Sequence, residues 1–147
     1  MNATDLRRRT TVSVHLDHTI VHATDKFASA RFLAELAGLD GPTGFGPFAA
    51  VQAADGLTID YAEHVVEAAA IVPQHLAFRV SEEEFDAIFA RIQERELPYW
   101  ADPYHHKPQE INHLAGGRGI YVSDPDGHAI EFLTRKHSLA DLGTEAS

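Results

Sequence analysis

Alternating apolar and polar residues predict strands in three well-separated parts of the chain. Residues 11–21 form a β-branched, roughly alternating run, and residues 74–80 and 128–134 show the same period of two. Each predicted strand carries one potential metal ligand among apolar neighbours, namely His18, His75 and Glu131. A carboxylate such as Glu131, which lies between Ile130 and Phe132, is costly in a sheet interior unless a cation holds it.

A helix is predicted after the first strand of each half. Asp25 can cap a helix that runs to about Ala37, where Gly38 would stop it. In the second half, residues 81–84 (Ser-Glu-Glu-Glu) form a capping box, and apolar residues follow at i, i+3, i+4 and i+7 from position 85. This second helix should end near residue 96, because Pro98 cannot continue it.

The other segments predict loops and shorter strands. Residues 41–47 are rich in Gly and Pro and are expected to form a loop. Residues 48–53 and 57–62 alternate on either side of Asp55-Gly56, which is a strong hairpin signal. Residues 99–101 predict a short strand, and residues 118–134 predict a closing hairpin. Because strand, helix and further strands occur twice in this order, the sequence predicts an α+β protein built from two βαβββ modules.

The length of 147 residues fits one domain with a core of its own. We expect a flexible N-terminus over residues 1–10 and a flexible C-terminal tail over residues 136–147. The single domain would cover residues 11–135, with modules at about 11–70 and 73–135. The chain has no cysteine, which excludes disulfides, thiolate zinc sites and a cysteine nucleophile.

The charge and hydropathy of the chain narrow the class of partner. A net charge of −10 argues against binding to nucleic acid or to an anionic membrane. No apolar run approaches the ~20 residues of a membrane span, and residues 1–5 lack the basic-then-apolar order of a signal peptide. We therefore expect a cytoplasmic protein whose partner is a small molecule, with no nucleic acid and no membrane.

The spacing of the three potential ligands suggests one shared metal. His75 lies 57 residues after His18, and Glu131 lies 56 residues after His75. This near-equal spacing is expected if equivalent strands of two modules each direct a ligand at one centre. Two imidazoles and one carboxylate suit Fe(II), Mn(II), Ni(II) or Zn(II) and leave coordination positions open for substrate. The alternative for any one histidine is a core residue with a main-chain partner.

Three segments carry a resemblance to a known family. The closing segment 119–131 (GIYVSDPDGHAIE), supported by residues 16–18 (LDH) and by the histidine of residues 74–78 (QHLAF), resembles the vicinal oxygen chelate superfamily. This is the group of glyoxalases, bleomycin-resistance proteins and extradiol dioxygenases, and the likeness spans roughly residues 12–134. The resemblance implies a cup-shaped incomplete barrel in which a divalent metal binds two adjacent substrate oxygens. It also implies a homodimer, with each cup closed either by its own chain or by a partner.

The resemblance suggests three further site residues. Tyr121 lies ten residues before Glu131, at the position of a substrate-contacting tyrosine in extradiol dioxygenases. His113 lies near the position of their second-sphere histidine and could donate a proton or a hydrogen bond to a metal-bound oxygen. Asp60 stands where glyoxalase I and related epimerases carry a fourth metal ligand, but it is one methylene shorter than their Glu or Gln. Asp60 could instead face solvent or support a ligand.

Several reactions remain open at this stage. The favoured hypothesis is an extradiol-dioxygenase-like oxygenase with Fe(II) at His18, His75 and Glu131 and a catechol-like substrate, in which His113 and Tyr121 handle protons and hydrogen bonds. A glyoxalase-like or epimerase-like lyase or isomerase with Ni(II), Zn(II) or Co(II) is the alternative. A third hypothesis is a non-catalytic drug-binding protein without metal. A fosfomycin-modifying transferase is least favoured, because the chain lacks a basic phosphonate-binding segment.

Overall fold

The computed structural model describes residues 12–138 of the chain, and the elements below belong to that part. The first half contains strand β1 (His18–His22), helix α1 (Lys26–Ala37) and strands β2 (Thr43–Phe45), β3 (Phe48–Gln52) and β4 (Thr58–Ala62). The second half contains strand β5 (His75–Arg79), helix α2 (Glu82–Glu94) and strands β6 (Gly119–Ser123) and β7 (Ala129–Leu133). Residues 1–11 and 139–147 lie outside the described residues; they include the whole predicted flexible N-terminus (1–10) and most of the predicted C-terminal tail (136–147).

The two halves form separate sheets with the same plan. The first sheet has the order β1-β4-β3-β2, in which β1 and β4 are parallel and the other pairs are antiparallel. The second sheet has the order β5-β7-β6, with β5 parallel to β7 and β6 antiparallel to it. Trp100 forms an isolated bridge to Tyr121 on β6 and takes the place of a fourth strand at this edge of the second sheet. The predicted α+β fold of two βαβββ modules is therefore confirmed, and the two sheets do not close into one barrel.

Each sheet has one core face and one open face. In the second sheet, Leu76, Phe78, Ile130 and Phe132 belong to the hydrophobic core, which also contains the apolar stripe of α2. Because strand side chains alternate, the neighbouring residues of β5 and β7 lie on the opposite, open face. The same alternation operates in the first sheet, where Val21, Val51, Ile59 and Tyr61 are buried in the core. This geometry places the candidate site residues on the open faces.

The helix boundaries follow the predicted capping signals. The Asp25 side chain accepts a hydrogen bond from the amide of Ala28, and Gly38 ends α1 with a left-handed φ of 73°. Ser81 and Glu84 form both hydrogen bonds of the predicted capping box at the start of α2. These signals act over a few residues, so they need no tertiary contact.

Three predicted segments were wrong in detail. Residues 12–17, part of the run predicted as a strand, have no regular secondary structure, because pairing with β4 begins only at His18 and Thr58; the Asp17 carbonyl accepts one hydrogen bond from the Thr58 amide. Within the predicted loop 41–47, Thr43–Phe45 is strand β2, which forms a three-residue edge against β3. The predicted strand at 99–101 is reduced to two isolated bridges at Trp100, one to Pro108 and one to Tyr121.

The turn before β7 connects the two modules. Asp126 accepts hydrogen bonds from the amide and hydroxyl of Thr24 and from the hydroxyl of Ser29, all in the first module. His128 in the same turn is fully buried and contacts the end of β1. In the described part of the chain, no helix is long and apolar enough to cross a membrane.

Candidate metal and substrate site

The second sheet pairs two of the three predicted metal ligands. His75 is the first residue of β5, and Glu131 lies at the middle of β7, opposite Ala77 in the parallel register. The two side chains meet on the open face, where the distance from His75 Nε2 to Glu131 Oε1 is 2.8 Å. The Glu131 side chain is 8% exposed, whereas that of His75 is 45% exposed. A nearly buried carboxylate thus has one imidazole partner that still faces outward.

Tyr121 lies directly beside this pair. It is opposite Glu131 in the antiparallel register of β6 and β7. Its ring approaches the His75 ring edge-on, with ring centroids 5.5 Å apart and an interplanar angle of 72°. Tyr121 is itself only 7% exposed. The three side chains form one compact group, which we call the His75–Glu131–Tyr121 cluster.

His18 occupies the open face of the other sheet. It is the first residue of β1 and is exposed. Its Nδ1 lies 2.7 Å from Asp17 Oδ2, and this hydrogen bond is the main cause that raises the pKa of His18, against a smaller effect of burial. The charges of Asp17 and Asp60 raise this pKa further. Because Nδ1 is engaged by a carboxylate, Nε2 is the atom left for a metal, as is common for metal-binding histidines.

A single chain therefore does not bring the three predicted ligands together. Across residues 12–138, no group of three or more His, Cys, Asp or Glu side chains is arranged to hold a metal ion. His75 and Glu131 pair with each other, while His18 pairs with Asp17. The predicted ligands therefore form two separate groups, one on each open sheet face, which we call the half-sites of the predicted metal site.

The open face of the first sheet forms the floor of a large cavity. Its volume is about 790 Å³, and residues of the first module alone line it. His18 and Asp60 are among them, together with apolar side chains that include Ile20, Phe45 and Phe48. A concave, largely apolar pocket with a few polar groups is typical of a small-molecule site.

Asp60 is the most unusual residue in this cavity. The sequence placed it as a possible fourth ligand or as a residue facing solvent, but it is only 5% exposed. Its Oδ1 atom is buried and has no hydrogen-bond partner. Its neighbours across the sheet are Ile20 on β1 and Ala50 on β3. The alternation of residues 57–62 predicts the strand, but it does not reveal that this carboxylate would be buried without a partner.

The two residues predicted to be catalytic line a second, smaller cavity. His113 and Tyr121 both border a space of about 360 Å³. His113 precedes a short 3-10 turn (Leu114–Gly116) and is exposed. Among the described residues, no hydrogen bond joins His113 to His75 or Glu131. The structure thus associates His113 with Tyr121, and it leaves the proposed roles of both residues as predictions.

The aromatic side chains that border cavities are divided between different surfaces. Phe45 and Phe48 line the large cavity, whereas Tyr99 and Trp100 border another cavity of about 580 Å³. Tyr104 is 77% exposed. Asp17, which orients His18, was not predicted as a site residue, although its position directly before that histidine is the signal that could have identified it.

Comparison with solved structures shows two similar proteins named as oxidases. The chain is 54% identical to oxidase ChaP-H1, with a TM-score of 0.80 and coverage of 84% of this chain and 98% of that chain. It is also 54% identical to oxidase ChaP-H2, with a TM-score of 0.81 and coverage of 86% and 98% respectively. No protein-family profile matches the chain, and no curated protein sequence matches it.

More distant structures share the fold. A glyoxalase/dioxygenase from Nostoc punctiforme is 22% identical, with a TM-score of 0.61 and coverage of 87% of this chain and 100% of that chain. A lactoylglutathione lyase from Agrobacterium tumefaciens is 16% identical, with a TM-score of 0.62 and coverage of 85% and 96%. Two βαβββ modules with open sheet faces define a protein of the glyoxalase and dioxygenase fold. The chain belongs to the vicinal oxygen chelate superfamily.

Proposed function

We propose that this protein is a metal-dependent oxygenase of the extradiol-dioxygenase-like type. It would bind Fe(II) through His18, His75 and Glu131 and act on a small substrate with two adjacent oxygens, such as a catechol. The observation that carries this proposal is the 2.8 Å approach of His75 Nε2 to Glu131 Oε1 on an open sheet face. The similarity to two proteins named as oxidases supports an oxidation over other reactions of this superfamily.

The donor atoms of the paired half-site fit a divalent ion. Two ligands at neighbouring positions around an ion with bonds of ~2.1 Å lie about 3 Å apart. The separation of 2.8 Å between His75 Nε2 and Glu131 Oε1 is close to this value. A nitrogen and a carboxylate oxygen also match the ligand types that Fe(II) and neighbouring metals accept.

The third ligand would come from a second copy of the chain. Each chain carries His18 on one open sheet face and the His75–Glu131–Tyr121 cluster on the other. Among the described residues, no group of three potential ligands that could hold a metal ion is present. We therefore propose a homodimer in which the first module of one chain faces the second module of its partner. A two-fold axis would then complete two equivalent sites at once, because such an interface repeats every contact.

The residues around this site would orient the substrate and move protons. When bound, the metal would supply Lewis-acid activation of two adjacent substrate oxygens. Asp17 would hold the His18 ring through its hydrogen bond to Nδ1, which leaves Nε2 for the metal. The ring of Tyr121 packs edge-on against His75 and restricts the movement of that imidazole. Tyr121 and His113, which border the same cavity, would hydrogen-bond the substrate or donate a proton to it.

A lyase or isomerase of the glyoxalase or epimerase kind is the second candidate. The observation that favours it is Asp60, whose buried Oδ1 lacks a partner and which lies on the same cavity wall as His18. This reaction would use Ni(II), Zn(II) or Co(II) and would need Asp60 as a fourth ligand. It therefore predicts that Asp60→Asn changes the metal content of the protein, whereas the oxygenase proposal predicts no change.

Metal content and substrate turnover test the proposal together. Protein prepared without chelator is expected to contain about one Fe(II), Mn(II), Ni(II) or Zn(II) per chain, and Glu131→Gln is expected to lose most of it. The variant His106→Ala, which alters an exposed histidine elsewhere, is the control. Oxygen uptake with a panel of catechols under Fe(II) should exceed any turnover of methylglyoxal plus thiol under Ni(II). Metal without oxygen uptake would overturn the oxygenase assignment, and absence of metal would overturn the site.

A further inference from the structure

Asp60 points to a substrate contact on the wall of the large cavity. Its side chain lines the 790 Å³ cavity, is 5% exposed and has a buried Oδ1 without any hydrogen-bond partner. A buried carboxylate oxygen without a partner costs free energy, and native proteins rarely retain one that has no role. In the described residues that line this cavity, no Lys or Arg is present to neutralise it.

The register of the first sheet explains why space remains beside Asp60. Ala50 is its neighbour on β3, and a methyl group is too short to cover a carboxylate. Ile20, its neighbour on β1, supplies an apolar surface with no hydrogen-bond donor in its side chain. His18 lies two residues before Ile20 on β1, on the same face, and is opposite Thr58. The carboxylate is therefore largely buried but borders the cavity, next to the row of side chains that carries the predicted metal ligand.

We propose that Asp60 accepts a hydrogen bond from a hydroxyl group of the substrate. The ligand would be an aromatic alcohol whose ring packs on the apolar wall formed by residues such as Phe45 and Phe48, while its hydroxyl reaches the part of the Asp60 carboxylate that borders the cavity. An anionic ligand would be disfavoured, because Asp17, Asp40 and Asp60 line the cavity and no Lys or Arg is present among its described lining residues. The inference rests on the proposed function only in treating this cavity as the substrate pocket.

Binding of three matched naphthalenes tests this contact without any metal. The chain, freed of metal with a chelator, is titrated by calorimetry with 1-naphthol, 1-methoxynaphthalene and 1-naphthoate. The first donates a hydrogen bond, the second only accepts one, and the third is an anion. We expect 1-naphthol to bind at least about 10-fold more tightly than 1-methoxynaphthalene, the ratio that a hydrogen bond to a charged group supports. We expect 1-naphthoate to bind most weakly.

Two variants localise the effect to Asp60. Asp60→Asn keeps the shape of the side chain and removes its charge, so the preference for 1-naphthol should fall to less than about 3-fold and binding of 1-naphthoate should improve. Asp55→Asn makes the same charge change at an exposed position in the turn between β3 and β4 and should keep the wild-type order. Circular dichroism of both variants checks that they fold.

Each result either supports or overturns the assignment. Equal binding of 1-naphthol and 1-methoxynaphthalene by the wild type would overturn it, even if Asp60→Asn did not fold. An unchanged preference in a folded Asp60→Asn would also overturn it, because the donor would then be recognised elsewhere. Because these titrations involve neither metal nor oxygen, their failure would be distinct from a failure of the oxygenase proposal. The metal content of Asp60→Asn, if equal to that of the wild type, further separates a substrate contact from a metal ligand.

Discussion

The imidazole of His128 donates its Nε2–H to the main-chain carbonyl oxygen of His22, which lies 2.7 Å away and 106 residues earlier in the chain. The donor atom follows from the second contact, because His128 Nδ1 accepts a hydrogen bond of 2.8 Å from the amide of Gln74. A neutral ring with its proton on Nε2 satisfies both partners. One fully buried side chain thus connects the end of β1 in the first module with the start of β5 in the second.

Replacing this histidine should weaken the whole fold. His128→Ala would leave the Gln74 amide and the His22 carbonyl without partners and would create a cavity. We expect the free energy of unfolding to fall by about 2–4 kcal/mol. Urea denaturation measures this loss, and His106→Ala, which removes an exposed histidine, should change stability by less than ~0.5 kcal/mol. A loss for His128→Ala no greater than that of the control would contradict the connecting role.

Asp126 should make the junction between the modules sensitive to acid. Partial burial would raise its pKa, but hydrogen bonds from Thr24 and Ser29 outweigh that effect and lower the pKa in the folded protein. A carboxylate with a lowered folded pKa stabilises the fold fully above its unfolded pKa of about 4 and loses this contribution as the pH falls through the folded value.

The variant Asp126→Asn tests this linkage. It should lose about 1 kcal/mol of stability at pH 7, because an amide accepts these hydrogen bonds less strongly than a carboxylate. The difference from the wild type should begin to shrink below pH ~4 and vanish as the pH falls through the lowered folded pKa, where the wild-type carboxylate becomes protonated. Urea denaturation at a series of pH values measures both effects. A difference that stays constant down to low pH would show that the carboxylate charge does not matter.

The sequence predicted those features that depend on neighbouring residues. The caps at Asp25 and Ser81 and the hairpin at Asp55-Gly56 each require only a few adjacent side chains, and the structure contains all three. The existence of β2 was missed because Thr43–Phe45 becomes a strand only through pairing with β3. Residues 12–17 show the opposite error, since an alternating pattern forms a strand only where another strand is available to pair with it.

The candidate site was predictable only in part for the same reason. Alternation correctly placed His75 and Glu131 on strands whose neighbouring residues belong to the apolar core. The two side chains pair on the opposite face because β5 and β7 are adjacent and parallel. Convergence of His18 on this pair depends on how two sheets face each other, and no local pattern encodes that relationship. The burial of Asp60 depends on its position between β1 and β3, whose residues Ile20 and Ala50 become its neighbours only in the folded sheet.

The hydroxyl of Tyr121 should matter for turnover more than for metal binding. Its ring packs edge-on against His75, and Tyr121→Phe retains that contact. We expect Tyr121→Phe to keep its metal and to lower kcat by about 10–100-fold, in the range of a lost proton-transfer or hydrogen-bonding group. Tyr104→Phe, which removes an exposed hydroxyl, is the matched control. Loss of metal in Tyr121→Phe would assign the hydroxyl to the metal site instead, and unchanged kcat would remove Tyr121 from catalysis.

Mixing two inactive variants should restore activity if the site lies between chains. His18→Ala damages one half-site and Glu131→Ala damages the other, so each homodimer would lack a ligand at both sites. In a mixed dimer with a two-fold interface, one site would collect both damaged residues and the other would be intact. Random exchange of subunits should therefore restore roughly a quarter of the wild-type sites, measured as bound metal or oxygen uptake.

Two further mixtures serve as controls. The mixture of His18→Ala with His75→Ala should behave in the same way. The mixture of Glu131→Ala with His75→Ala should stay inactive, because both ligands come from the same chain. Absence of recovery in the first two mixtures, with subunit exchange verified by mass spectrometry, would show that each chain assembles its own site.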